Sequence, residues 1–242
     1  MDKYFAETDL LNLSVFDFFI ITVVSFSLLY FSITTISYFI FKRDNFKKYQ
    51  IQALRPGQIK TEIKRSFVSI LMFGFLSVPI YFGLHSGFFK IHFEFSWSVL
   101  LGEGLLLFIW NEVHFYSVHR FFHLKPFYKF HADHHYSHVP NPFSAYSFHW
   151  SEGILLGAVM PLIMCFHDFQ VTSLMLLPLL SIGFNVLGHS NVDFFPAYSM
   201  NSIFSFSKRH SLHHKVPHAN FGFFLPYLDA IFRTSGPDDE SK

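Results

Sequence analysis

Residues 18–41, FFIITVVSFSLLYFSITTISYFIF, contain no Asp, Glu, Lys or Arg. A helix needs roughly 20 mostly apolar residues to cross the hydrocarbon of a bilayer, so this stretch commits the chain to a membrane. It is too long for the apolar core of a cleaved signal peptide and follows acidic residues (Asp2, Glu7, Asp9), so it reads as a retained first helix. Residues 67–84 form a second candidate span and residues 97–118 a third. The third carries Glu103, Asn111, Glu112 and His114, which must face protein or a cavity rather than lipid. A fourth apolar block, 153–187, is interrupted by HDFQ at 167–170. Its halves are short for spans, so two short helices and a re-entrant hairpin both fit; either returns the chain to the side it left. The expected fold is an all-α integral membrane protein with four or five membrane-embedded helices and a cytoplasmic histidine-rich helical cap.

Charge orients these segments. Residues 42–65 hold Lys42, Arg43, Lys47, Lys48, Arg55, Lys60, Lys64 and Arg65 against only Asp44 and Glu62, whereas the loop after the second span offers Lys90 alone. Positive residues stay inside, which predicts a cytoplasmic 42–65 segment, an N-terminus outside or in the lumen, and a cytoplasmic face for both 119–135 and 189–214. The net charge of +1 gives no reason to invoke nucleic acid. Cys165, the single cysteine, excludes intramolecular disulfides and cysteine-based zinc or iron–sulfur sites. Charged residues are only 14% of the chain, against about 25% in soluble domains, and the acidic tail at 236–242 is expected to be disordered.

Three histidine clusters fall on that one predicted face: HRFFH at 119–123, HADHH at 131–135 and HSLHH at 210–214. Residues three and four apart share a helix face, so each cluster is expected to aim its rings at one point. Neutral imidazole is the commonest metal ligand, and eight or more clustered rings imply two metal ions. The ligand type alone suits iron, copper, nickel or zinc. No H-E-x-x-H word is present, so zincin-type proteolysis lacks its signature. A metal pair beside lipid fits oxygen activation for attack on an unactivated C–H bond, chemistry that needs redox-active iron. His85, His92 and His167 fall on the opposite face and read as ordinary polar residues; His114 reads as a helix-packing residue, and His138 and His218 flank the clusters. A histidine-rich membrane metal-binding or transport protein without oxygenase activity is the alternative class; it would string its rings along helices that cross the bilayer.

The clusters and the words around them resemble the sterol desaturase/fatty acid hydroxylase superfamily of membrane di-iron oxygenases, whose HX3H, HX2HH and HX2HH boxes occur here in order. EVHFYSVHRFFH is similar to the family's acidic-x4-Tyr-x2-His-Arg-x2-His run through Glu112, Tyr116, His119, Arg120 and His123. HHYSHVPNPFSAYSFHWSEG resembles its HH…P-x-P…FHP-[DE]-G stretch, and GHSNVDFFP its single-histidine segment. HSLHHKVPHANFG matches the last box and the Asn-aromatic-Gly that follows it. QIKTEIKRSFVSI looks like the segment before the second helix in the C5-sterol desaturase (lathosterol oxidase) branch. The likeness runs from about residue 57 to 235. It departs at Trp150, where the family has proline, and at Ala230, where the branch has arginine.

The resemblance implies an N-terminal transmembrane region (1–98), a catalytic domain (99–235) and the tail. It implies two iron ions, for which zinc can substitute on overexpression, held by His119, His123, His131, His134, His135, His149, His189, His210, His213 and His214. Asp133, Glu152, Asp193 and Asp229 are candidates to orient those rings. The expected function is O2-dependent hydroxylation or desaturation of a membrane lipid of sterol or fatty-acyl type. The expected place is the endoplasmic reticulum of a eukaryote or the inner membrane of a bacterium. GEGLLL at 102–107 lies inside an expected helix with no preceding strand and is no nucleotide site, so electrons are expected from an external cytochrome b5- or ferredoxin-type donor, docked by Arg120, Lys125, Lys129, Lys208 and Arg209.

Overall fold

Ser14 starts the first helix, α1 (Val15–Phe41): its Oγ accepts the backbone N–H of Asp17, and Asp17 places a negative charge in the first turn. The computed structural model describes residue 10, residues 12–53 and residues 55–236. The acidic residues before α1 and all of the expected tail but Gly236 lie outside them. Only Val23, Tyr30 and Thr34 of α1 are buried, while Phe16, Leu28 and Phe39 stand mostly exposed on its other sides. A helix apolar all round with one thin packed seam is what a bilayer solvates.

That seam rests on α2 (Gln58–His85). Gly74 permits the approach, since a Cβ there would collide with the Val23 side chain. Tyr30 crosses the interface: its hydroxyl meets Ser66 Oγ and donates to the Phe143 carbonyl, both at 2.9 Å. Its ring stacks on Tyr146 with centroids 5.1 Å apart. After β1 (Ile91–His92) comes α3 (Trp97–Phe122), then α4 (Ala132–His135), α5 (Trp150–Gly157) and α6 (Val159–Met164). β2 (Phe169–Gln170) pairs in parallel with β1, and α7 (Val171–Gly188), α8 (Phe206–Lys215) and α9 (Tyr227–Phe232) complete the chain.

Among the described residues three helices, α1, α2 and α7, are long and apolar enough to cross a membrane. The third expected span, α3, has the length but is interrupted by carboxylates, each with a protein partner. Buried Glu103 accepts from His167 Nε2 at 2.9 Å and from the Gln170 backbone at 3.1 Å. Buried Glu112 accepts from the backbone N–H groups of Phe224 and Leu225 at 3.2 and 2.7 Å. The 153–187 block resolves unevenly. Its first half is the broken pair α5–α6, and its second half is the single 18-residue helix α7.

The β1–β2 pair ties the α2–α3 connection to the α6–α7 connection, so His85, His92 and His167 gather at one end of the bundle. At the other end the basic 42–57 segment is clasped to the chain following α7. Ile51 donates to the Asn191 carbonyl at 3.0 Å, and Asp193 donates to the Tyr49 carbonyl at 2.8 Å. The basic segment and the histidine clusters therefore share one end of the molecule.

Candidate metal centre

Nine histidines meet at that end in two groups. His119, His123, His131, His135 and His213 form one, and His134, His189, His210 and His214 the other, each with ligand nitrogens within 4.8 Å of one another. The clusters do not each aim at a single point, as their spacing suggested; every HX2HH box is divided. A helix turns about 100° per residue, so position i+4 lies about 40° to one side of position i and position i+3 about 60° to the other. On α8, His210 and His214 accordingly face one centre and His213 the other. His131 and His135 likewise serve the five-ring group while His134 serves the four-ring group. Successive histidines thus bridge two centres from one turn of helix.

Hydrogen bonds fix which nitrogen of several rings is bare. His119 Nδ1–H donates to the Phe221 carbonyl at 2.7 Å, His213 Nδ1–H to the Ala219 carbonyl at 2.7 Å, and His189 Nδ1–H to the Asn185 carbonyl at 2.8 Å. His131 Nδ1–H donates to Glu152 Oε1 at 2.8 Å, with both side chains at most 2% exposed. A carbonyl only accepts, so on His119, His189 and His213 the proton sits on Nδ1 and the opposite Nε2 carries a lone pair, and an ionised Glu152 fixes His131 in the same way. With Glu152 ionised, His119 Nε2 and His131 Nε2, 3.1 Å apart, face each other lone pair against lone pair. A cation between them turns that repulsion into ligation.

The spacing fits an ion. Two nitrogens each about 2.0–2.1 Å from one metal lie about 2.9 Å apart at a right angle and about 3.4 Å apart at the tetrahedral angle. Adjacent Nε2 atoms are 3.1, 3.3, 3.3 and 3.1 Å apart in the five-ring group. In the four-ring group they are 3.4, 2.9 and 3.0 Å apart. The rings are also held neutral, as ligands must be. Burial, reinforced by neighbouring rings, pushes His131, His134, His135, His210 and His214 well below the ordinary imidazole value. Burial takes His213 to about 4 and His189 to about 3.

Of the ten histidines expected as ligands, His149 stands apart. It caps α5, its Nδ1 lies 2.8 Å from Ser151 Oγ, and it belongs to neither group. Its capping position turns the ring toward its own helix. His138 and His218 are exposed and also lie outside both groups.

The four candidate orienting acids separate in the same way. Glu152 touches a ring directly. Asp229 acts through backbone: it accepts the N–H groups of Phe221 and Gly222 at 2.8 Å each, and the Phe221 carbonyl holds His119. Asp133 pairs with Arg65 at 2.6 Å, and Asp193 faces Lys208 at 3.7 Å. The carbonyls of Asn185, Ala219 and Phe221 escaped the sequence reading because main-chain acceptors leave no mark in residue type. Two of the expected docking cations are diverted as well. Arg209 is buried and donates to the carbonyls of Met200 and Phe224 at 2.9 and 2.6 Å, and Lys208 turns to Asp193. Lys125 and Lys129 remain exposed.

Burial pushes the Glu152 carboxyl well above the ordinary carboxylate range, and a cation held by His131 would draw it back to the charged form. Glu152→Gln keeps an acceptor for His131 but removes that charge. Metal affinity, measured by chelator competition, is expected to fall about 10- to 100-fold, the usual cost of altering such a partner, with the fold intact. Unchanged affinity would mean that Glu152 supplies orientation and no electrostatic support.

A cavity of about 600 Å³ leads away from the rings between α1, α2, α3, α5, α6 and α7. It runs from Leu84, Ile91 and Val171 near the strand pair to Phe115, Phe148 and Asn185. There Phe115 lies against His119 and Phe148 against His134, with centroids 5.0 Å apart in each pair. The rings are thus gathered at one end of the bundle, where an apolar chamber ends, and are not strung along its crossing helices.

A model of the fatty acid hydroxylase family matches residues 104–234. A Delta(7)-sterol 5(6)-desaturase of Gibberella zeae is 27% identical over 232 residues, covering 94% of this chain and 68% of that protein. Human lathosterol oxidase is 25% identical over 221 residues, 88% of this chain and 72% of its own length. A very-long-chain aldehyde decarbonylase of Oryza sativa is 30% identical over 132 residues, half of this chain and 21% of that protein. No solved structure matches the chain.

Proposed function

The chain belongs to the fatty acid hydroxylase family, within the sterol desaturase/fatty acid hydroxylase superfamily, and from that premise we propose that it is an O2-dependent di-iron oxidoreductase that hydroxylates or desaturates a membrane lipid at an unactivated C–H bond. The observation that carries this reading is the pair of adjacent buried imidazole groups beside one end of an apolar cavity. The names of the relatives, two sterol oxidoreductases and an aldehyde decarbonylase, support lipid oxidation and leave the outcome of the reaction open.

His119, His123, His131, His135 and His213 would hold one ion and His134, His189, His210 and His214 the other. Bound there, an iron pair would supply the reduction of O2 and the oxidising power to break the C–H bond. The remaining work belongs to the chain. Glu152 and the three carbonyls keep Nδ1–H pointing outward, so that every Nε2 they govern is presented as a lone pair. Phe115 and Phe148 bring hydrocarbon against the ligand rings and keep bulk water away from them. By the positive-inside rule the metal end lies in the cytoplasm together with Lys42, Lys47 and Arg65.

Hydroxylation consumes O2, two electrons and two protons and yields the alcohol and water; desaturation removes two hydrogens from the lipid for the same input. The sequence carries no recognisable nicotinamide- or flavin-binding word, so a separate cytochrome b5- or ferredoxin-type protein supplies the electrons, with Lys125 and Lys129 at its docking face. Purified protein given NAD(P)H, O2 and membrane lipid alone is expected to be inert. Adding a donor with its reductase should produce lipids that have gained one oxygen atom or lost two hydrogens, at a rate that falls as salt shortens screening to roughly 8 Å and below. Sustained turnover with no donor protein, or no oxidised lipid with one, would overturn the reading.

A further inference from the structure

The cavity wall is mostly apolar, and among the described residues no Asp, Glu, Lys or Arg lines it; the hydroxyls of Thr22, Ser77, Tyr146 and Ser181 that also line it bond within the protein. Two polar side chains of α3, Asn111 and His114, open into it. Among the described residues neither has a hydrogen-bond partner, although His114 is 93% buried, being 7% exposed. Its ring lies 5.7 Å from that of Trp110, and the Trp110 Nε1–H donates to the Val159 carbonyl at 2.8 Å, so the pair is fixed in place. Leaving an amide and an imidazole unpaired in hydrocarbon costs free energy. Leucine and phenylalanine would fill the same space without that cost, so the two residues await a polar partner from the cavity itself.

Their height along the bundle is defined. Phe108 of α3 packs on Phe184 of α7 at 5.4 Å, and Phe115 and His189 share the ring of Phe223 at 4.9 and 5.9 Å. Asn111 and His114 therefore lie between the level of Phe184 and that of His189, the stretch that holds Asn185, whose carbonyl meets the His189 ring. At about 1.5 Å of rise per residue, His114 is about 8 Å and Asn111 about 12 Å along the axis from His119.

We propose that Asn111 and His114 recognise the hydroxyl of an uncharged lipid alcohol, which lies in the cavity with its hydroxyl end toward the metal centres. A neutral imidazole and an amide each offer a donor and an acceptor, and a hydroxyl is itself both. A carboxylate or phosphate would carry its charge into a wall where no Lys or Arg side chain pairs with it. The position also sets the regiochemistry. With the hydroxyl fixed within about two helical turns of the rings, the carbon presented for oxidation lies a few bonds from the hydroxyl-bearing carbon and not at the far end of the lipid. This last consequence rests on the lipid-oxidising function proposed above; the binding does not.

The test is equilibrium binding to the metal-loaded protein in detergent, without an electron donor. Tritiated cholesterol and tritiated octadecan-1-ol serve as probes, each compared with its methyl ether, and octadecanol also with stearate. At least one alcohol should bind about tenfold or more tightly than its ether, as loss of a buried hydrogen bond dictates, and the one that does identifies a ring or a chain skeleton. Octadecanol should bind more tightly than stearate. The double variant Asn111→Leu/His114→Phe should bind alcohol and ether alike while keeping the native metal content. Equal binding of both alcohols and their ethers to the native protein would overturn the proposal, as would stearate matching octadecanol or a preference that survives the double substitution. Oxidised lipid formed on adding a donor, without any alcohol preference, would sink this inference alone. An alcohol preference with no oxidised product would sink only the enzymatic reading.

Discussion

Replacing His134 with alanine is expected to release one of the two metal ions and to stop turnover, whereas the same change at its neighbour His135 should spare more of the metal. The two rings belong to different groups. Removing His134 leaves three imidazoles (His189, His210 and His214), and removing His135 leaves four (His119, His123, His131 and His213). Elemental analysis after dialysis against a mild chelator should find the His134→Ala protein close to one ion per chain and the His135→Ala protein closer to two. Turnover should fall by more than about a hundredfold for His134→Ala, beyond what the loss of an outer partner alone costs. His85→Ala, at the far end of the bundle where the ring meets the Tyr81 carbonyl at 2.9 Å, should change neither quantity. Equal metal loss from His134→Ala and His135→Ala would contradict the division of the box, and equal loss from His85→Ala would contradict the placement of the groups.

Acid is the second lever. In the unfolded chain the imidazoles take up protons below about pH 6.5. In the fold, burial keeps His213 neutral down to about 4 and His189 down to about 3, with His131, His134, His135, His210 and His214 shifted the same way. Between those limits the unfolded state binds more protons than the folded state, so stability is fully present above about pH 6.5 and drains away as pH falls toward 4. The slope is about 1.4 kcal/mol per pH unit for each such ring, and several titrate together. Metal-stripped protein in detergent should therefore melt at markedly lower temperature at pH 5 than at pH 8. Bound metal raises the melting temperature at pH 8 but is itself displaced by protons on the way down. A melting temperature that did not move across this range would mean that protons reach the rings in the folded protein.

Much of this was legible from the residues. The uncharged run at 18–41 and the apolar core of α2 announced spans, because lipid tolerates nothing else over that length. The carboxylates of α3 announced contacts with protein, which Glu103 and Glu112 make. The two ambiguous halves at 153–187 were harder, since length alone does not distinguish a broken pair from a continuous helix. The break at Ala158 and the continuity of α7 through Pro178 depend on what packs beside them. Histidine spacing pointed to metal, and charge placed the basic segment and the clusters at the same end, where Ile51 and Asp193 tie them together.

Residue type and spacing by themselves marked the apolar helices suited to a membrane and gathered enough histidines in clusters for two candidate metal centres. Tertiary structure decided how the set is divided. Successive histidines on a helix diverge by about 100°, so which ring joins which centre depends on where α3, α4, α7 and α8 converge, and no local pattern encodes that. It also set His149 outside both groups, its ring turned to cap its own helix, and removed Arg209 from the surface to hold the carbonyls of Met200 and Phe224. The orientation of His119, His189 and His213 rests on main-chain carbonyls brought close by folding. Every residue carries the same carbonyl, so only its position in space distinguishes one that holds a ligand from one that does not.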